Sequence, residues 1–336
     1  MKNINVLVVI ILVMVFGTTV HSQVGVDKVG QTTMNFQLVS LSARASALGE
    51  AVYASSTGSE AIFYNPAGLA EMKKEYDANF MYTSWIADID YLGGAVAWNA
   101  EDIGVFGVSA MWVDYGSIRS TRLLSASTQS DAIAYEDMGE MNNIGAYSFG
   151  VSYARSITDN FLLGGTMRYT GQNLGESMLS GGLVQNNAAK LIFDMGVKYY
   201  TGLKSFRFAM AFRNFSTQMK REKISEQMPV LFTMGAAFDF LDVLSPDHTD
   251  QQTLTVSADY LHPNNYSERM NIGVEYMTMG MFVARAGYQT NRDLASWSAG
   301  LGFMTKVNDY DVQFNYSYTP MEYFNSVNRF SLGFTF

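Results

Sequence analysis

From Phe330 to the last residue, side chains fall on two unlike faces. Phe330, Leu332, Phe334 and Phe336 share one, and Ser331, Gly333 and Thr335 the other. A period of two marks a β-strand, whose side chains point alternately to opposite sides of the sheet. The constraint on the fold is that the same contrast recurs along the chain. Phe206, Phe208, Met210 and Phe212 oppose Arg207, Ala209, Ala211 and Arg213. Leu191, Phe193, Met195, Val197 and Tyr199 oppose Ile192, Asp194, Gly196, Lys198 and Tyr200. Phe232, Met234, Ala236 and Phe238 form another apolar row, as do Val312, Phe314, Tyr316 and Tyr318. A soluble all-β sandwich, the alternative reading, would bury the apolar face as a core. Here rings sit near the strand ends and the second face is small or polar, the pattern of a strand between lipid and a lumen.

From Tyr76 onward fourteen such segments can be counted, near 76–87, 90–99, 103–115, 145–156, 160–171, 189–201, 204–215, 230–241, 252–261, 268–278, 280–290, 294–306, 309–319 and 326–336. An even number suits a bacterial single-chain barrel, which joins its strands by short turns at the periplasmic end and longer loops outside. The second, fourth and sixth connections are short, and the third, fifth and seventh run from about Gly116 to Ile144, Gln172 to Ala188 and Ser216 to Pro229. The pattern predicts an all-β, 14-stranded antiparallel transmembrane β-barrel over 76–336.

Composition agrees. Charged residues make up 16% of the chain, against about 25% in soluble domains. Aromatics reach 14%, with 29 glycines and five prolines. No stretch of 18 apolar residues follows the N-terminus, so a spanning chain must satisfy its backbone as a closed barrel. The absence of cysteine excludes a disulfide scaffold, a thiolate metal site and a lipidated N-terminal cysteine. A net charge of −9 argues against nucleic acid as a partner.

Residues 1–22 read as a secretory signal peptide: Lys2, an apolar run from Val6 to Phe16, then small residues before Gln23. The expected location after cleavage near Ser22 is the outer membrane of a Gram-negative cell, with its lipid as partner. Residues 23–75 do not alternate. Phe36 to Ala51 and Ser59 to Ala70 are crowded with small residues, which suits a short helical and turn-rich plug in a narrow lumen. Asn65-Pro66 is a turn starter, because the residue before proline is pushed out of the helical region.

The block from Ala43-Arg44-Ala45 to Leu48-Gly49, followed by Tyr64-Asn65-Pro66-Ala67-Gly68-Leu69, resembles the PorV/PorQ family of outer-membrane barrels from Bacteroidetes. That family is similar to the FadL long-chain fatty-acid transporters, fourteen-stranded barrels with an N-terminal plug. The resemblance implies a partner- or cargo-binding component of type IX protein secretion, working with a translocon subunit and with cargo that carries a C-terminal targeting domain. The alternative it leaves open is FadL-like passage of fatty acids or other hydrophobic small molecules. It also implies an arginine at the position of Arg44, which could bind an acid of the lumen. The terminal strand, with Phe330, Leu332, Phe334 and Phe336, resembles the signal by which the assembly machinery recognises outer-membrane barrels.

Chemistry-bearing motifs are scarce. Three histidines, His21, His248 and His262, show no metal spacing, and no nucleophile elbow, P-loop or dinucleotide fingerprint is present. The expectation is a non-enzyme without cofactor or metal, with His262 in a loop. Period-two counting assigns Arg168, Asp194, Lys198, Arg207, Arg213, Asp239, Asp259, Glu275, Arg285 and Asp311 to the inner face. Mixed signs there imply ion pairs that lock the plug or line a polar path. Glu275 and Arg285, on neighbouring expected strands, form the pair to test. In the long outer connection Leu123, Leu124, Tyr135 and Glu136 mark a candidate partner loop.

Overall fold

The computed structural model describes residues 30–336 apart from 124–134, 142–143, 180–181, 222–223 and 245–250. The expected signal peptide, Leu124 and the middle of the long outer connection lie outside the described residues. Eighteen strands are described. They are β1 (Tyr76–Ser84), β2 (Asp90–Asn99), β3 (Val105–Asp114), β4 (Arg119–Leu123), β5 (Tyr135–Glu140), β6 (Gly145–Thr158), β7 (Phe161–Leu179), β8 (Gly182–Tyr200) and β9 (Arg207–Phe215), followed by β10 (Met219–Arg221), β11 (Ile224–Glu226), β12 (Leu231–Asp239), β13 (Thr253–Pro263), β14 (Arg269–Thr278), β15 (Phe282–Gln289), β16 (Trp297–Val307), β17 (Tyr310–Thr319) and β18 (Val327–Thr335). Fourteen of them close one antiparallel barrel, in which β18 returns to pair with β1. The closing register sets Phe80 opposite Leu332 and Tyr82 opposite Phe330.

Alternation decides which way each side chain points. Phe80, Leu92, Val96, Trp98, Phe106, Val108, Trp112 and Phe149 are exposed on the outer surface. In water such a continuous apolar face would be costly, at about 25 cal/mol per Å²; in a bilayer it is the required surface. The opposite face carries buried Thr83, Ser109, Ser148, Ser152 and Thr166.

Most strand ends fall within a few residues of the expected ones. The exceptions are β7 and β8, which continue pairing to Leu179 and Gly182. The sequence reads 172–188 as a connection, because Gln172, Asn173, Glu176 and Ser177 carry no apolar face. Backbone pairing needs none once the ribbon leaves lipid, so the ladder runs on. The third and seventh connections likewise hold hairpins, β4 with β5 and β10 with β11. His262 lies in β13, paired with Phe232, rather than in a loop. It points outward, 3.2 Å from Glu268.

Connections 84–90, 114–145, 179–182, 215–231, 263–269, 289–297 and 319–327 share one end of the barrel, and 99–105, 158–161, 200–207, 239–253, 278–282 and 307–310 share the other; the two longest, 114–145 and 215–231, lie at the first end, and 239–253 is the long exception at the second. In outer-membrane barrels the long-loop end faces outward.

Residues 31–75 run along the inside of this ring. They form 3-10 turns at Asn35–Leu38, Gly58–Phe63 and Pro66–Glu71 and a short helix α1 (Ala43–Ala47). Ser42 starts α1 by accepting a bond from the Ala45 amide, and Asn65 does the same for the Ala67 amide ahead of the turn that Pro66 opens. Both satisfy amides that have no partner within their own turn. Leu41, Leu48, Val52, Ile62 and Leu69 pack with the inward-facing Met81, Tyr91, Met111 and Ile192 of the strands.

Candidate functional site

Glycines on the strands make room for the N-terminal segment. A methyl group on Gly287 would overlap the Gly49 backbone, and one on Gly273 would lie 2.7 Å from the Leu48 carbonyl oxygen. Gly49 itself has a φ of +61°, the left-handed region that favours glycine. Gly196 admits the Asn65 side chain, and Gly164 admits the peptide between Pro66 and Ala67, 2.5 Å from where a Cβ would stand. The Asn65 amide nitrogen donates to the carbonyls of Tyr53 (3.0 Å) and Val197 (3.1 Å). Gly68 is buried against the Ser56 carbonyl. The small-residue motifs are thus contact surfaces between segment and strands.

Arg44 is where charge crosses that contact. Its Nε and Nη2 each donate to Glu275 at 3.0 Å, and its Nη1 reaches Glu60 at 3.3 Å. Glu60 also accepts from the Ser42 hydroxyl. Arg285 donates to Glu275 at 2.5 Å and to Asn315 at 2.8 Å. A second network joins Arg168 to Asp194 (2.6 Å), with Arg168 also donating to Gln37 and Asn214. Arg213 donates to the Tyr53 hydroxyl at 3.0 Å and Arg207 to the Ala54 carbonyl at 2.9 Å. At the short-turn end Lys198 pairs with Glu71 at 3.1 Å, and its Nζ also donates to the Ser56 carbonyl.

Three acids assigned to the inner face do other things. Asp259 accepts from the Tyr53 amide at 3.0 Å. Asp239 accepts from the amides of Leu241 and Leu254, ending β12 beside the short helix α2 (Leu241–Leu244). Asp311 is placed at the rim rather than in the lumen, because β17 begins one residue earlier. Its side chain is 49% exposed and pairs with Lys74 at 2.8 Å.

Glu50, Glu60 and Glu71 supply counter-charges from the inner segment, which strand alternation cannot count. Arg329 is a different omission. It shares parity with Ser331, Gly333 and Thr335 and was legible as an inward residue.

What space remains lies mainly toward the long loops. A cleft of about 910 Å³ opens there, lined by Phe36, Ile89, Tyr91, Tyr115, Ile118 and Leu174 among others. Next to it, across the turn at Asn35–Leu38, a second cavity of about 280 Å³ is lined by Trp85, Tyr266, Arg269, Arg292 and Arg329. Deeper, between Gln37, Tyr53, Tyr64, Arg168 and Arg213, about 30 Å³ is left, room for one or two waters. Tyr135 is exposed on β5, and the β4–β5 backbone register pairs Leu123 with Tyr135 and Arg122 with Glu136. Phe336 stacks on Tyr76 with ring centroids 5.3 Å apart and meets Tyr310 at 5.2 Å.

No family model and no curated protein matches the chain. Solved structures do. The CymD monoaromatic hydrocarbon channel is similar at a TM-score of 0.55 and 13% identity, over 89% of this chain and 98% of that one. A Pseudomonas aeruginosa FadL homologue is similar at 0.52 and 13%, with the same coverage, and the Pseudomonas putida toluene transporter TodX at 0.52 and 11%, over 86% and 96%. Identities this low establish the fold alone. The chain is a multi-pass outer-membrane β-barrel of FadL-like architecture. CymD is a channel and TodX a transporter, and none of the three lends anything specific to the PorV/PorQ resemblance or to type IX secretion.

Proposed function

We propose that this barrel passes hydrophobic small molecules inward from the cell exterior, with residues 31–75 as its plug. The observation that carries this reading is the cleft at the long-loop end, where Met34, Phe36, Ile89, Tyr91, Tyr115, Ile118 and Leu174 form an apolar wall beside the polar Thr32, Asn35, Asp88, Gln172 and Glu226, directly on the inner segment. Its size is that of a site for a small organic ligand. The fold shared with CymD, the FadL homologue and TodX supports it. On this reading catalysis plays no part, and the Arg44, Arg168 and Lys198 networks hold the plug in place.

Uptake of labelled toluene and oleate by cells lacking their own barrel for these solutes tests the proposal. Expression should raise the rate several-fold, and Ile118→Asp with Leu174→Asp, which charge the cleft, should remove the gain. Equal uptake with and without the protein would overturn it.

A second reading, service as a PorV/PorQ-like secretion partner, draws on the β4–β5 hairpin, where Tyr135 and Met138 are exposed beside the acids Glu136, Asp137 and Glu140. Mild-detergent pull-down from native membranes, with and without residues 120–142, separates the two. Stoichiometric recovery of a large translocon subunit or secreted cargo favours secretion, and a lone barrel holding an apolar ligand favours passage.

A further inference from the structure

Water reaches the inner face of the barrel unequally. Asn79, Gly333, Gln313 and Met304 are successive partners across β1, β18, β17 and β16, one inward rung near the short-turn end, and all four are partly exposed. On its other side Asn79 pairs with Ala95 of β2, which is buried, as are Ala97, Ala154, Leu162 and Lys198 further round the ring. The inner segment makes the difference. Its turns Gly58–Phe63 and Pro66–Glu71 lie against β1–β3 and β6–β8 and fill that side down to the short turns, whereas β15–β18 meet only α1. That helix sits higher: a methyl group on Gly300, further from the short-turn end than Met304 on the same strand, would lie 2.5 Å from the Ala47 side chain. Beneath α1 a vestibule is left, with Asn79, Gln313 and Thr255 in its wall.

The vestibule ends at Arg44. The side chains of Arg44, Glu60 and Glu275 keep exposures of 13%, 10% and 16%, and none of them lines the outer cleft or the 280 Å³ cavity beside it. Their water therefore comes from the short-turn side. Ser46, two positions along α1, does line the 280 Å³ cavity. Its hydroxyl lies 3.3 Å from that of Thr319, and its carbonyl accepts from Ser298 at 2.6 Å. On the β14–β18 side, α1 thus stands between water from one mouth and a cavity at the other. A helix of five residues has no stability of its own, and Arg44 is its only charged tie to the wall. Parting Arg44 from Glu275 returns both charges to water they already touch, so it costs less than parting Arg168 from Asp194, whose side chains are sealed.

We propose that α1 closes a second route through the barrel, a polar one along the β14–β18 wall, and that this route passes small hydrated ions when the Arg44–Glu275 pair is parted. The lining suits that class of solute. Below α1 it offers Asn79, Gln313 and Thr255, and above it Ser298, Thr319 and Gln289. A hydrated ion finds hydrogen-bonding groups there in place of lost water, whereas a hydrocarbon gains no apolar burial. The route lies across the turn at Asn35–Leu38 from the outer cleft and does not rest on the passage of hydrophobic molecules.

The chain has no cysteine, so a single introduced thiol reports water access directly. In the full-length barrel, Gln313→Cys and Asn79→Cys should react with a charged thiol reagent at least about tenfold faster than Ala95→Cys, a buried neighbour that must wait for local opening. In planar bilayers bathed in potassium chloride the unaltered barrel should stay closed. Arg44→Gln and Glu275→Gln should each carry current severalfold above it, and thiol modification of Gln313→Cys in the Glu275→Gln background should block that current. Lys198→Gln, which breaks a pair on the filled side, should stay as closed as the unaltered barrel. Equal reaction of the three cysteines would overturn the proposal, and this arm needs no lock variant to fold. So would Arg44→Gln and Glu275→Gln barrels that keep their folded mobility in cold detergent yet carry no extra current, a current that survives the modification, or equal current through Lys198→Gln.

Discussion

Arg44 grips Glu275 through two nitrogens, each 3.0 Å from a carboxylate oxygen, across 231 positions of sequence. One partner belongs to the inner segment and the other to a wall strand, so the pair fastens contents to container. Breaking a buried pair from one side leaves the other charge uncompensated, at a cost of about 3–5 kcal/mol. Arg44→Gln should therefore make residues 31–75 protease-sensitive in a barrel that still resists unfolding in cold detergent. Glu275→Gln, which leaves two cations facing each other, should have the larger effect. Limited proteolysis with mass spectrometry reads both.

Asn65→Ala should lower stability through two losses. The missing cap costs about 0.5–2 kcal/mol, and the Val197 and Tyr53 carbonyls lose a donor, which costs about 1–3 kcal/mol when they stay buried. Gly196→Val should displace the same side chain from the opposite direction. Guanidinium unfolding midpoints should fall for each. The double variant should fall by less than the sum of the two, because both act on one contact.

Val108 is 55% exposed in the middle of β3. Val108→Arg should cost about 2–4 kcal/mol when the barrel folds into lipid vesicles. Ser109→Arg, its neighbour on the buried face, should fail by a different route, steric conflict with the inner segment. Equal tolerance of Val108→Arg in vesicles and in detergent would contradict a lipid contact for this face.

Phe336 joins Tyr76 by two backbone hydrogen bonds, at 2.8 and 2.9 Å, and by ring stacking. Phe336→Ser should reduce the amount of protein reaching the outer membrane severalfold while leaving synthesis unchanged. Fractionation with immunoblotting measures it. Unchanged outer-membrane levels would remove any assembly role for the terminal ring.

The barrel was legible because lipid and lumen impose opposite demands on adjacent residues, so each strand declares itself. The strand extensions past Gln172 were not, since a ribbon in water has no apolar face to reveal it. The inner segment could be delimited but not traced: the meeting of Gly49 with Gly287 depends on register that no local pattern encodes. Arg329 could have been found by extending the terminal alternation two residues upstream. Arg269 shares the parity of Glu275 within 268–278 and was legible in the same way; Arg292 was not, because a loop carries no parity.

The inner segment also has a direction. Thr32 bridges Gln227 and accepts from Asn265 at the long-loop end, whereas Lys74 reaches Asp309 and Thr335 at the short-turn end. The chain is therefore a tether running from one mouth to the other, with its first described residues at the long-loop mouth and its anchor on the short-turn rim. A tug on residue 30 from the cell surface would be resisted in turn by Gln37 on Thr170, Arg44 on Glu275, Asn65 on Val197 and Glu71 on Lys198. Mechanical load applied at one mouth is therefore shed into the wall strand by strand, through side chains, before it reaches the other.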